Sequence, residues 1–102
     1  MARARAVVFA PFREAAHLND LTATPAGTRI DVLARFGGKP VDKILVQNGG
    51  KKDIRVHLGT GGVSGGYAVV RTKEDLEEEI VVSEFFVSGP NEPFDVTLFR
   101  RG

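Results

Sequence analysis

The chain has 102 residues, the length of one domain, with 42% hydrophobic residues, 26% charged residues and a formal net charge of +1. That balance excludes wholesale disorder and leaves no broad basic footprint for nucleic acid or a membrane surface. Cysteine is absent, which excludes disulfides and thiolate chemistry, and no apolar run approaches the length of a membrane-spanning helix.

Residues 3–10 alternate Arg3-Ala-Arg5-Ala before Val7, Val8 and Phe9 and read as a first strand or an extended arm. Pro11 and Arg13 stop the apolar part short of a secretory h-region. The expected location is therefore cytoplasmic, or within a virion, without secretion by a signal peptide. Residues 11–21 fit a short helix through Glu14, Ala15, Ala16, His17 and Leu18, with Phe12 sharing a face with Ala15 and Ala16; a loop fits equally. Residues 22–27, with Pro25 and Gly27, are a connector. Residues 1–27 are thus expected to form an arm and connector, and residues 28–102 the β domain.

Residues 28–36 give a clean strand pattern, with Ile30, Val32, Ala34 and Phe36 on one face and Arg29, Asp31 and Arg35 on the other. Residues 37–40 are a turn, and residues 41–47 a strand with Ile44 and Val46 on one side. Asn48-Gly49 predicts a hairpin, because both residues tolerate the positive φ of a type I′ turn. Residues 53–58 alternate strictly, Ile54, Val56 and Leu58 inward and Asp53, Arg55 and His57 outward. Residues 59–66 are a glycine-rich flexible loop and residues 67–72 a further strand. Residues 73–79 fit one helical turn or a charged loop. Residues 80–87 are apolar on both faces and predict a strand at the centre of a sheet, with Val82 and Phe86 in the core. Residues 88–93 link it to a last strand, in which Phe94, Val96 and Leu98 face one way and Asp95 and Thr97 the other. About seven strands at this spacing predict an all-β domain, a β-sandwich or jelly-roll-like barrel with an N-terminal arm.

Few residues carry chemistry. Gly62-Val-Ser64-Gly-Gly66 matches the G-x-S-x-G nucleophile elbow in letters alone. That motif needs a following helix and a later histidine, whereas a strand follows here and His17 and His57 both precede Ser64. Gly59, Gly61, Gly62, Gly65 and Gly66 could form an anion-binding nest, although the dinucleotide and P-loop patterns both fail. Glu74, Asp75, Glu77, Glu78 and Glu79 lack the spacing of a calcium loop and read as a charged face. His57 has no second ligand at metal spacing. Arg3, Arg5, Arg13, Arg100 and Arg101 cluster near the two ends; Phe9, Phe12 and Phe99 lie near them in sequence but read as core or interface, where a nucleic-acid module would interleave aromatics for stacking.

The sequence therefore points to a non-enzymatic structural or assembly protein acting through protein–protein surfaces. A virion decoration protein, capsid accessory or tail component is the type. No catalytic, cofactor or metal site is expected, and no membrane, small-molecule or nucleic-acid partner. The partners are copies of the chain or a larger protein assembly. The contact residues would be Arg3, Arg5, Phe9 and Phe12 of the arm, the acidic run 74–79, and Arg100 and Arg101, paired head to tail. The alternative is a small β-barrel module that takes an anionic ligand or nucleic acid on loop 59–66.

Overall fold

A computed structural model describes residues 14–59 and 61–101. Arg3, Arg5, Phe9, Phe12 and the rest of the expected arm lie outside them. The described residues form eight strands: β1 (Glu14–Ala23), β2 (Thr28–Asp31), β3 (Lys43–Asn48), β4 (Ile54–His57), β5 (Ala68–Val70), β6 (Asp75–Glu78), β7 (Glu84–Ser88) and β8 (Glu92–Arg100). A one-turn helix, α1 (Val32–Arg35), and a single 3-10 turn, Gly62–Ser64, complete the set. No described helix is long and apolar enough to cross a membrane.

The strands form two four-stranded antiparallel sheets, ordered β1-β8-β3-β6 and β2-β7-β4-β5. Along the chain every connection between successive strands changes sheet, except β4 to β5. Folding the chain back at that one hairpin lays β4 on β5, β3 on β6, β2 on β7 and β1 on β8. Two further ladders, β3 with β8 and β4 with β7, complete the sheets. The inward rows meet in one core: Leu18, Ile44, Val46, Phe94, Val96 and Leu98 from the first sheet, Ile30, Ile54, Val56, Val70, Phe85 and Val87 from the second. Strand periodicity accounts for most of these rows, since alternate residues of β3, β4 and β8 carry the apolar side chains.

Several expectations change. Residues 14–23 are a strand, where a helix or loop was expected, and they belong to the sheet although they fall inside the expected arm and connector. Between Leu18 and Leu21 the register shifts, so Asn19 and Asp20 lie opposite Asp95. Asp20 takes φ 59° and its N–H donates to Asp95 Oδ1 at 2.8 Å. This bulge reverses the parity, so Leu18 and Ala23 are both buried. The resulting i, i+3 spacing of Leu18 and Leu21 imitates a helix.

The expected strand at 28–36 is split. Asp31 accepts a hydrogen bond from Ala34 N–H at 3.2 Å and caps α1, which turns Ala34 into solvent while Val32 and Phe36 stay buried. The expected Asn48-Gly49 hairpin is absent, because β3 and β4 belong to different sheets. Asn48 is 3% exposed and serves as a junction. The acidic segment, expected as a helical turn or loop, is strand β6 at the edge of the first sheet. A charged edge discourages pairing with another chain. The expected strand at 80–87 is shorter and shifted, to Glu84–Ser88. It does lie inside its sheet, between β2 and β4. Val82 is buried outside any strand, bridged to Val41, and Phe85 takes the core position expected of Phe86.

Candidate functional site

The outer face of the second sheet collects the unusual side chains. On β4, Ile54 and Val56 point into the core, so Arg55 and His57 point outward. Pairing places Arg55 beside Ser88 of β7 and beside Val69 of β5, and His57 beside Phe86. Tyr67, one residue before β5, lies over this face: its ring centroid is 5.7 Å from that of His57, and the Arg55 guanidinium stands 4.5 Å from it.

The glycine-rich hairpin covers part of the same face. Gly61 and Gly62 take φ 95° and 56°, which lets the 3-10 turn fold back over β7. A Cβ on Gly62 would meet the Phe86 ring at 3.3 Å, and one on Gly27 would meet Val63 Cγ1 at 2.3 Å. The loop is therefore seated by Val63 in the notch that Gly27 leaves, against Phe86. Within the turn the polar groups bond to one another: Ser64 N–H donates to Gly61 O at 3.1 Å, Gly65 N–H to Gly62 O at 3.1 Å, and Ser64 Oγ to Gly61 O at 2.7 Å. Two amides that an anion nest would need are thus committed, and the Ser64 hydroxyl is engaged locally.

His57, expected on an exposed face, is only 2% exposed. Its Nε2 is hydrogen-bonded to Ser88 Oγ at 2.7 Å, while the buried Nδ1 has no hydrogen-bond partner among the described residues. Burial pushes the imidazole below its ordinary pKa. The backbone of Gly66 and of Gly65 acts against that shift, without closing a hydrogen bond on Nδ1, and the Arg55 charge adds to it.

Beside Arg55, on the side away from Tyr67, lies a groove of about 410 Å³. Ser88 and Gly89 line it, Pro25 and Pro90 come from the two adjoining turns, and Asp53, Arg55 and Val69 complete the wall. Arg29 on the same sheet is neutralised by Glu84 at 2.6 Å and Asp31 at 3.3 Å. Arg55 makes no ion pair among the described residues; its contact is with the Tyr67 ring.

The remaining expected contact residues lie on the first sheet or its ends. Glu77 pairs with Lys43 at 3.0 Å, Glu79 with Arg101 at 2.7 Å and Glu14 with Arg100 at 2.7 Å. Asp75 and Glu78 pair with Gln47 and Ile44 in the β3 ladder, and Glu74 is exposed. Arg101 and the acidic run thus meet within one chain, while Arg100 pairs with Glu14 of β1. Sequence reasoning placed Arg55 outward correctly but did not single out Tyr67, Val69 or Ser88. Ser88 had no local signal, since it reads as part of a turn.

No protein-family model and no curated protein matches the chain. A solved structure described as "Crystal structure of PirA" superposes with a TM-score of 0.45 at 15% identity, over 84% of this chain and 93% of that chain. Nothing about function follows from a likeness of that level.

Proposed function

We propose that this chain is a non-enzymatic structural or assembly protein, a jelly-roll module that works by protein–protein contact through the outer face of its second sheet. The jelly-roll reading rests on the pairing order: a long hairpin with its tip at β4–β5, rolled so that its arms alternate between two four-stranded sheets. That architecture hosts many functions, so the contact reading needs its own support.

One observation carries it. Val63, Tyr67 and Val69 are 41%, 50% and 48% exposed on this face, Tyr67 and Val69 beside Arg55 and Val63 by Gly27. Single exposed apolar side chains are ordinary, but a cluster with tyrosine and arginine has the composition of an interface centre. An apolar patch is its own complement across a two-fold axis, so a second copy of the chain is the partner that this face fits.

Sedimentation velocity of the full chain over a wide concentration range tests the reading. Reversible association is expected, lost in a Tyr67→Glu, Val69→Glu double variant whose circular dichroism is unchanged. A wild-type chain that stays monomeric at every concentration, or a double variant that associates as before, overturns it.

A further inference from the structure

We propose that the groove between Arg55 and the turn at 88–90 is a binding site for an uncharged, polyhydroxylated ligand of the size of a monosaccharide. Its volume of about 410 Å³ falls within the range of small-molecule sites. Its charge argues for neutrality. Asp53, just before β4, and Arg55, two residues on, both line the groove, so an anion meets Asp53 and a cation meets Arg55. A neutral ligand uses the donors of one and the acceptors of the other and strips no ion of its hydration.

Both polar anchors are held from behind. The Arg55 guanidinium rests on the Tyr67 ring at 4.5 Å, and Ser88 Oγ is fixed by His57 Nε2 at 2.7 Å. Each partner lies outside the groove lining, which leaves the groove-facing side of the anchor open. Side chains fixed before the ligand arrives lose little freedom on binding. Ser88 is 8% exposed and has one donor and two acceptor positions, of which His57 occupies one. The imidazole tautomer decides whether the hydroxyl proton remains available, while acceptor capacity remains in both states. A ligand hydroxyl can both give and accept a hydrogen bond, so it matches either state, whereas a carbonyl, which only accepts, matches only the state in which Ser88 keeps its proton for the ligand. Pro25, Pro90 and Val69 add flat apolar surface, which suits the C–H faces of a sugar ring.

The groove shares Arg55 and Val69 with the face proposed for self-association, so the titration is read at a concentration where sedimentation shows the chain monomeric, and its outcome is then separate from that of the association test. The test is a titration of the isotopically labelled full chain with glucose, galactose, mannose and N-acetylglucosamine, followed by amide chemical shifts, with glycine and inorganic phosphate in parallel. At least one sugar is expected to give saturable shifts confined to residues 25, 53–55, 69 and 88–90. Asp53→Ala and Arg55→Ala, both at exposed positions, are expected to weaken that binding about tenfold or more, the weight of a hydrogen bond to a charged group, with the spectrum otherwise preserved. Absence of saturable shifts with all four sugars overturns the proposal. So does tighter binding of glycine or phosphate to the same residues, or sugar binding indifferent to both variants.

Discussion

The Asn48 side-chain amide donates to the Val70 carbonyl at 2.9 Å, a bond that runs from the end of β3 in one sheet to β5 in the other. The same amide donates to Lys52 O at 2.9 Å, and Asn48 Oδ1 accepts from Gly50 N–H at 2.9 Å. Its backbone is engaged as well, by Glu74 O and Lys73 N–H at 3.0 Å each. The side chain thus satisfies backbone groups that have left one sheet and not yet joined the other. Asn48→Ala strands them, and a loss of about 2–3 kcal/mol in urea unfolding is expected. Asn48→Asp turns a second oxygen toward two carbonyls and should cost at least as much. A loss of only a few tenths of a kcal/mol in both variants would show that the junction is not a structural tie.

Adjacent phenylalanines on β7 should respond very differently to truncation. Phe85 is 1% exposed in the shared core, and Phe85→Ala is expected to cost about 3–5 kcal/mol. Phe86 faces outward under the 3-10 turn and is half-buried, so Phe86→Ala should cost about 1–2 kcal/mol. Equal losses, or the reverse order, in chemical denaturation would mean that β7 has the opposite facing.

Gly27→Ala tests how the hairpin loop is seated. Gly27 has φ 97° and its missing Cβ leaves room for Val63. The substitution combines backbone strain with a clash and should destabilise by about 1 kcal/mol or more. Adding Val63→Ala removes the clashing methyl but not the strain, so the double variant should lose less than the sum of the two single losses. Strict additivity would show that Val63 does not occupy the notch.

The buried imidazole makes stability depend on pH in one direction. His57 is lowered from an ordinary value of 6.5, first by burial. In the window between the folded value and 6.5 the unfolded chain holds a proton that the native chain does not, so native stability rises with pH there. The contribution is fully present above 6.5 and is lost as pH falls through the window. Urea midpoints measured from about pH 7 down to about pH 5 should fall, and His57→Gln, which can still meet Ser88, should flatten the slope. A slope of opposite sign, or one that survives in His57→Gln, would show that another group sets it.

How much of this was legible in the sequence can be judged strand by strand. The alternation of Phe94, Val96 and Leu98, of Ile44 and Val46, and of Ile54 and Val56 determined three strands and their buried faces. Local geometry suffices for that, because a strand sends successive side chains to opposite sides whatever it pairs with. The sequence also held the hairpin tip, in the glycines at 61 and 62. What covers a face is another matter, since the covering residue comes from elsewhere in the chain. The bulge in β1 is held by Asp95, 75 residues away, and its parity change breaks the alternation by which a strand is read. His57 occupies an outward position like Arg55, but the return of the hairpin loop and of Ser88, 31 residues on, buries it. Asn48 followed by glycine carries the local signature of a tight hairpin, yet the chain leaves for the other sheet and its side chain closes the gap. Alternation decided which way these residues point; only the tertiary fold decided whether water or a distant segment meets them.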